Sequence, residues 1–184
     1  MRLADDELRV LVRRAAGRDA DAWAALYRRA YPRLFAYACR RLPTPGDAED
    51  AVSETMMRAI DGIQRFTWRG AGFDAWLYGI LRHVVYEMTR QQRRRAQPLI
   101  GDPPGNDVLP LDRILSDERD EFVRQAFARL SPRDRELLEL RVVGELNAAE
   151  VGLVVGKRAG AVRMAQRRAL ARLRQALEQV TDGQ

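Results

Sequence analysis

The chain is poor in the residues on which most catalytic, metal-binding and disulfide-bonded proteins depend. It has one histidine, His83, and one cysteine, Cys39, so it cannot form an internal disulfide or a cysteine-based zinc site. No glycine-rich loop suited to cradling a phosphate is present, and a lone His and a lone Cys do not make a catalytic constellation. The sequence therefore predicts that the protein is not an enzyme, needs no metal or cofactor, and works in a reducing compartment.

Long apolar runs and strand patterns are also missing. The opening residues, MRLADDELRV, have charges where a signal peptide has an apolar segment. No stretch approaches the roughly 18 to 20 apolar residues of a membrane-spanning helix, and alternating β-branched runs bounded by turns do not occur. These absences predict an all-α, cytoplasmic protein without membrane insertion.

What the sequence does have is charge, most of it as arginine. Hydrophobic residues make up 46% of the chain and charged residues 32%, against 7% aromatics; this balance is typical of helices with a narrow buried stripe and a broad polar face. Lys157 is the single lysine among 32 basic residues, and the net charge is +6. A basic balance of this kind favours a polyanionic partner.

Helical periodicity divides the chain into two predicted domains. Residues 1–95 and 113–184 form these domains, and residues 96–112 between them have four prolines, two glycines and no periodicity, which predicts a flexible linker. Pro32 should kink or restart its helix, because proline removes a backbone donor. The predicted helices span residues 5–16, 19–42, 47–63, 73–95, 113–130, 132–143, 148–155 and 160–180.

Residues 146–171 follow the pattern of a helix-turn-helix. Asn147 and Glu150 have the spacing of a capping box at the start of the first helix, and Gly156 suits the tight turn before the second. The apolar side chains of the second helix fall on one face. They predict a packing stripe of Val162, Ala165, Ala169, Leu173, Ala176 and Val180.

The same helix, within VGKRAGAVRMAQRRALARLR at residues 155–174, could be a DNA-reading helix or only a solvated basic helix. Residues 157–174 hold seven basic side chains and no acid. Arg163 and Arg167 project away from the packing stripe near the helix start, where a recognition helix contacts the major groove. Arginine binds both guanine edges and phosphates, and the sequence does not separate the two. The pattern favours a DNA-reading helix.

Four segments carry a family resemblance. The N-terminal half contains AWAALYRRAYPRLFAYACRRL, DAEDAVSETMMRAI and FDAWLYGILRHVVYEMTRQQRRR, and the C-terminal half contains LSPRDRELLELRVVGELNAAEVGLVVGKRAGAVRMAQRRALARLR. In order and spacing, over about residues 5–178, these segments resemble regions 2 and 4 of bacterial RNA polymerase sigma factors of the extracytoplasmic-function (ECF) class. The resemblance implies two helical domains that bind core RNA polymerase: region 2 on the clamp helices of the largest subunit, and region 4 on the flap of the second-largest subunit.

In region 2 the resemblance implies one surface for the polymerase and one for the −10 promoter element. The clamp-binding surface is an acidic stripe of Asp47, Asp50 and Glu54, able to dock a basic coiled coil, with Arg58 in the same line. The loop at residues 65–73 and the helix after it are implied to recognise and open the −10 element by stacking, base contacts and phosphate contacts. Their contact residues are Phe66, Trp68, Arg69, Arg82, His83, Tyr86, Glu87, Arg90, Arg93 and Arg94. Trp76 and Leu77 are instead predicted to pack in the core, and Cys39 in or near it.

In region 4 the resemblance implies a surface that reads the −35 element. The matching residues are Arg141, Lys157, Arg158, Arg163, Met164, Arg167 and Arg168. Three positions depart from the family pattern: His83 stands where asparagine is usual, Ala165 replaces an arginine, and Gln166 replaces an apolar residue. Base preferences at these positions need not follow those of relatives.

The leading hypothesis is a transcription initiation factor that acts with core RNA polymerase on promoter DNA and has no enzymatic activity of its own. An anti-sigma partner is plausible by family habit, although no residue identifies one. The alternative is a stand-alone helix-turn-helix repressor or activator whose N-terminal domain dimerises or senses a ligand. That alternative accounts for the basic helix but not for the acidic stripe, nor for the glycine- and aromatic-containing loop followed by an arginine-ended helix.

Overall fold

The computed structural model describes residues 5–68, 72–95 and 118–181. These residues form α1 (Asp5–Ala16), α2 (Ala20–Cys39), α3 (Pro45–Gly62), the 3-10 helix η1 (Ile63–Arg65), α4 (Phe73–Arg95), α5 (Glu118–Ala128), α6 (Pro132–Val142), α7 (Ala148–Val155) and α8 (Ala159–Thr181). The all-α prediction is confirmed for this part of the chain, whereas the predicted linker at 96–112 and Arg69 lie outside it. No helix in the described ranges combines the length and the hydrophobicity needed to cross a bilayer.

Several helices begin at a side chain that caps them. Asp19 at the start of α2 accepts a hydrogen bond from the backbone N–H three residues on, and Thr44 does the same at the start of α3. Ser131 caps α6 in the same way. Each cap satisfies a backbone donor that the first turn of a helix leaves unpaired, so these polar residues set where the helices start.

Helix α2 continues through Pro32, where the sequence predicted a kink or a restart. The helix is one element from Ala20 to Cys39, so the predicted restart is wrong. Pro32 and Arg28 are both exposed. The ring of Pro32 removes the backbone donor of the Arg28 carbonyl oxygen, a loss that a helix tolerates best on its exposed face.

The first domain packs α1, α3 and α4 around α2. Leu26, Leu34 and Tyr37 of α2 are fully buried at its centre. Leu77 of α4 is buried as predicted, and Cys39 is half-buried against the core. The domain thereby fixes α3 and α4 side by side, with their polar faces outward.

In the second domain α7 and α8 form the predicted helix-turn-helix. Asn147 and Glu150 make both hydrogen bonds of the capping box, and Gly156 ends α7 with a left-handed backbone, φ 69°, which favours glycine. A Cβ at Gly152 would lie 2.4 Å from the carbonyl oxygen of Lys157. Both glycines are therefore required for the chain to turn tightly into α8.

The packing stripe predicted for α8 is confirmed where side chains are described. Its buried members are Val162, Ala169 and Ala176, and its half-buried members are Ala165 and Leu173. The side chain of Val180 lies outside the described set. The stripe holds α8 against α5, α6 and α7 and so fixes which face of the helix meets solvent.

The two domains pack against each other through α4 and α7, an arrangement that the sequence did not predict. Gly144, just after α6, lies against Tyr78 of α4: a Cβ at position 144 would come within 3.1 Å of the tyrosine ring. Tyr37 and Tyr78 meet edge to face, with ring centroids 5.4 Å apart. Buried apolar residues of both domains form one continuous cluster.

Candidate nucleic-acid interface

The start of α8 presents a basic, exposed face opposite its buried stripe. Val162 and Ala169 hold the helix in the core, which turns the polar side chains between them outward. The exposed residues of the predicted −35 set are Lys157, Arg158, Arg163, Met164, Arg167 and Arg168. Met164 keeps 52% of its surface exposed, so an apolar group stands among the cations. The face thus combines phosphate-binding charge with groups able to touch base edges.

Arg141, the remaining member of the −35 set, is half-buried and engaged within its own domain. Its Nε donates to Oε1 of Gln166 on α8 at 2.9 Å, and its Nη1 donates to the backbone carbonyl of Leu146. Arg141 therefore ties the end of α6 and the turn before α7 to α8. Gln166, where the family usually has an apolar residue, supplies the acceptor, and no sequence pattern indicated this pairing.

We expect Arg141→Ala to lower the stability of the fold as well as DNA binding. Loss of a charged donor that joins three elements should lower the free energy of unfolding, measured by urea titration, by about 1.5 to 3 kcal/mol. Arg168→Ala removes the same charge from an exposed position and is expected to stay within about 0.5 kcal/mol of the parent chain. Equal values for the two variants would show that Arg141 is not a structural tie.

An acidic groove runs between α3 and α4. Asp50 and Glu54 line it together with Met57 and Met88, and Met57 is 58% exposed. Carboxylates around exposed, adaptable methionine side chains suit a partner helix that has both basic and apolar groups.

Arg58 joins this groove to α4. Its Nε lies 2.6 Å from Oε1 of Glu54, and its Nη2 lies 2.8 Å from Oε2 of Glu87, whose other oxygen lies 3.0 Å from Nε2 of His83. The hydrogen bonds to Glu54 and then Glu87 raise the pKa of Arg58 above its ordinary value, and the bond to Arg58 lowers the pKa of Glu87. Two residues predicted to bind polymerase are thus linked to two predicted to bind the −10 element.

Asp47 stands apart from that network, at the start of α3. Its carboxylate accepts hydrogen bonds from the Thr44 hydroxyl at 2.7 Å and from the Gln92 side-chain amide at 3.3 Å. Of the four residues predicted to dock on the clamp, three therefore lie along the groove, and Asp47 also serves the helix cap.

Phe66 and Trp68 lie in a packed aromatic cluster. The Phe66 ring centroid is 5.2 Å from that of Trp68 and 5.0 Å from that of Trp76. Arg9 of α1 places its guanidinium carbon 4.7 Å from the centroid of the Trp68 ring, a cation–π contact that sequence reasoning missed. Phe66 and Trp68 are half-buried, so part of each ring remains accessible. Trp76, predicted to be a core residue, is half-buried in this cluster.

The outer face of α4 carries the other side chains predicted to bind the −10 element. Its exposed members are His83, Tyr86, Glu87, Arg90, Arg93 and Arg94. Arg82 is exposed as well, but its Nε donates to Oε1 of Glu136 on α6 of the second domain at 2.8 Å. The predicted −10 face is therefore largely open, with one arginine already bound to an acid of the other domain.

Candidate metal ligands do not gather in the part of the chain that the structure describes, where no three His, Cys, Asp or Glu side chains are grouped. The Cys39 thiol is half-buried, and burial raises its pKa above the ordinary value.

The two domains match two family models. Sigma-70 region 2 matches residues 26–95, and Sigma-70, region 4 matches residues 126–175. The ECF RNA polymerase sigma factor ShbA of Streptomyces griseus is 35% identical over 191 residues, which cover 96% of this chain and 100% of ShbA. The chain belongs to the ECF sigma factors.

This ECF sigma factor is also similar to a second curated relative and to a solved structure. The ECF RNA polymerase sigma factor BldN of Streptomyces coelicolor is 34% identical over 163 residues, covering 87% of this chain and 62% of BldN, so the chain spans less than two thirds of that relative. The structure of CnrH in complex with the cytosolic domain of CnrY has a TM-score of 0.65 at 21% identity, covering 92% of this chain and 96% of CnrH. That likeness supports the fold alone.

The candidate surfaces divide between the two sigma regions. The acidic groove and the outer face of α4 lie within the region 2 match, and the basic face of α8 lies within the region 4 match. Arg9, which covers Trp68, lies outside both matches.

Proposed function

We propose that this ECF sigma factor binds core RNA polymerase and directs promoter-specific transcription initiation, with region 2 acting on the −10 element and region 4 on the −35 element. The observation that carries the proposal is the presence of two separate arginine-bearing faces, on α4 and α8, beside an acidic groove between α3 and α4. A repressor that reads one operator needs only the face on α8.

For the −35 element, α8 enters the major groove with its first turns. Arg163 and Arg167, one turn apart, reach base edges, and arginine paired with the O6 and N7 atoms of guanine is the commonest specific contact there. Met164 lies beside them and can pack on a thymine methyl group. Three flanking residues hold phosphates and set the register of the helix: Lys157, Arg158 and Arg168. Arg141, while hydrogen-bonded to Gln166, contacts the DNA backbone.

For the −10 element, region 2 must hold a base that has left the stack. The accessible parts of Phe66 and Trp68 provide stacking surface, and the proposal adds Arg69 as a phosphate contact of the same loop. The next turns of α4 supply polar groups for base edges, namely Arg82, His83, Tyr86 and Glu87. Further along α4, the exposed side chains of Arg90, Arg93 and Arg94 follow the phosphates and contribute affinity independent of sequence.

For the polymerase, the groove between α3 and α4 takes the basic clamp helices of the largest subunit. Asp50 and Glu54 provide opposite charge, which steers association and fixes register, and Met57 provides the apolar contact. Asp47 and Arg58 complete the surface. Region 4 contacts the flap of the second-largest subunit. Because both regions are then bound to the same polymerase, they lie a fixed distance apart along the DNA.

In this function the protein consists of two domains joined by a linker. Residues 1–95 form the region 2 domain, 96–112 a linker, and 113–184 the region 4 domain. The protein acts in the cytoplasm with the polymerase, has no enzymatic activity of its own, and needs no cofactor. An anti-sigma factor is a further candidate partner, since the sigma factor RpoE of Bartonella quintana, which has a similar fold, was solved in complex with the anti-sigma factor NepR.

Run-off transcription on total genomic DNA of the source organism tests the proposal. Purified core polymerase is incubated with and without the protein, and the transcripts are sequenced. New start sites that require both components are expected. No new start at any site, together with tight binding of duplex DNA by the protein alone, would favour a stand-alone repressor.

A further inference from the structure

Arg9, on α1, covers the ring of a tryptophan that is proposed to act on the −10 element. Its guanidinium carbon lies over the ring of Trp68, 4.7 Å from the centroid, while the side chain of Arg9 as a whole is exposed. Arg9 belongs to neither of the two family matches. A cation that is fixed beside a stacking surface and open to solvent is a candidate contact for DNA.

The core of the first domain fixes α1, and with it the position of Arg9. Leu8, Val12 and Ala15 of this helix are buried. The carbonyl oxygen of Ala15 also accepts a hydrogen bond from Nε1 of Trp23 on α2 at 3.0 Å. Because the helix is anchored before and after Arg9, its backbone stands at a defined place beside the loop.

The chain that leads to Trp68 runs alongside α1. The side-chain amide of Gln64 donates to the carbonyl oxygen of Ala16 at 2.6 Å, and Trp68 meets Arg9. Ala16 and Arg9 are seven positions apart, about 10 Å along a helix. The four steps from Gln64 to Trp68 can span that distance, at up to about 3.3 to 3.6 Å each. These two contacts therefore hold residues 64–68 against α1.

The Trp68 ring itself has three defined neighbours. The Phe66 ring meets it edge to face, with centroids 5.2 Å apart, and a Cβ at Gly72 would lie 3.9 Å from its Cζ3 atom. Arg9 is the third neighbour. The ring remains half-buried and not fully covered. A ring that is already oriented loses less conformational freedom when a base stacks on it.

The contact with the ring leaves the hydrogen-bond donors of Arg9 available. A guanidinium has five N–H donors, and an aromatic face attracts the cation through its quadrupole without supplying a carboxylate or carbonyl acceptor. Arginine binds phosphate oxygens with short, charge-assisted hydrogen bonds. A nucleotide whose base stacks on Trp68 would bring its phosphate group close to such a donor set.

We propose that Arg9 is a further residue of the −10 site, where it holds the Trp68 ring in place for an unstacked base and binds the phosphate of the same nucleotide. The single-strand surface then extends from α4 and the loop before it onto α1. The inference rests on the proposed function, and it assigns a ligand, the phosphate backbone of the opened strand, to a helix outside the Sigma-70 region 2 match.

Binding of oligothymidine tests this role without a known promoter, because stacking on an aromatic ring tolerates every base. Fluorescence anisotropy of labelled oligothymidine is measured over a range of salt with the full-length protein, both free and bound to core polymerase. Arg9→Gln should bind about tenfold more weakly, because it loses both the phosphate contact and the support of the ring. It should also lower the slope of log affinity against log salt by about 0.7 to 1.

The matched control is Arg13→Gln, which removes the same charge from an exposed position one turn further along α1. It should bind oligothymidine as the parent chain does. Glutamine is a good helix former, and both positions are exposed, so α1 should remain folded in either variant. Arg9→Lys keeps a cation at the site and should retain the salt dependence of the parent chain.

The outcomes separate the role of Arg9 from the proposed function. Equal affinity and equal salt dependence of Arg9→Gln and Arg13→Gln would overturn the role, and so would a parent chain that binds no oligothymidine in either form. A weaker Arg9→Gln variant with an unchanged salt slope would overturn the phosphate contact. Run-off transcription by the parent chain is scored separately: new start sites keep the sigma-factor function even if Arg9 fails, and their absence removes that function even if Arg9 binds DNA.

Discussion

Alanine at both Arg163 and Arg167 is expected to reduce initiation from a −35-dependent promoter by at least about tenfold, since each bidentate arginine–guanine pair contributes roughly 1 to 3 kcal/mol of discrimination. Both side chains are exposed in the first half of α8, on the face opposite buried Val162 and Ala169. Neither substitution creates a cavity, so the helix should remain folded. The measurement is run-off transcription at saturating core polymerase.

The control for that pair is Arg13→Ala with Arg174→Ala, which removes the same charge from exposed positions on α1 and late in α8. Salt titration adds a second readout: a lost phosphate contact lowers the slope of log affinity against log salt by about one, whereas a lost base contact changes sequence preference. Transcription equal to that of the control would remove Arg163 and Arg167 from the set that reads the −35 element.

Asp50→Arg is expected to weaken binding to core polymerase by about tenfold or more, because placing like charges together across an interface costs several kcal/mol. Asp50 is exposed and lines the groove between α3 and α4, so the change alters the groove without disturbing the core. Affinity can be measured by fluorescence anisotropy of labelled protein titrated with core enzyme.

Glu49→Arg is the matched control on the same helix. Glu49 is exposed and its charge acts on Tyr31 and Cys39 of α2, which places it on the side of α3 away from the groove. The account requires this variant to bind core polymerase as the parent does. If Asp50→Arg binds equally well, the groove is not the polymerase contact.

The network centred on Arg58 connects the two surfaces proposed for region 2. Arg58 joins Glu54, in the groove, to Glu87, which also holds His83 on the outer face of α4. A partner that draws Glu54 away from Arg58 therefore changes the setting of Glu87 and His83. His83 also departs from the family pattern, so we expect any base preference at this position to depend on its contact with Glu87.

The features that the sequence predicted are those that depend on near neighbours along the chain. The capping box of Asn147 and Glu150 spans three residues, and the stripe through Val162 and Ala169 follows from helical periodicity. The restart predicted at Pro32 is wrong, since α2 is one helix through that position, whereas the alternative of a kink there stays a prediction.

What the sequence could not predict arises from contacts between distant segments. Arg141 and Gln166 are 25 residues apart, and Arg82 and Glu136 are 54 apart and in different domains. No periodicity brings such residues together. The packing of the two domains is evident only from the structure, in which α4 contacts α7. Arg82, which the sequence predicted as a −10 contact, is hydrogen-bonded to Glu136 of the other domain in that arrangement.

The central claim is that two DNA-reading surfaces act together, at a separation that the polymerase sets. It is tested most directly by run-off transcription from a promoter found with this protein, after either element is scrambled or the spacer is lengthened by about five base pairs, roughly half a helical turn. The account predicts that each change removes most of the transcript. A transcript that persists with a lengthened spacer, or that depends on one element alone, would contradict it.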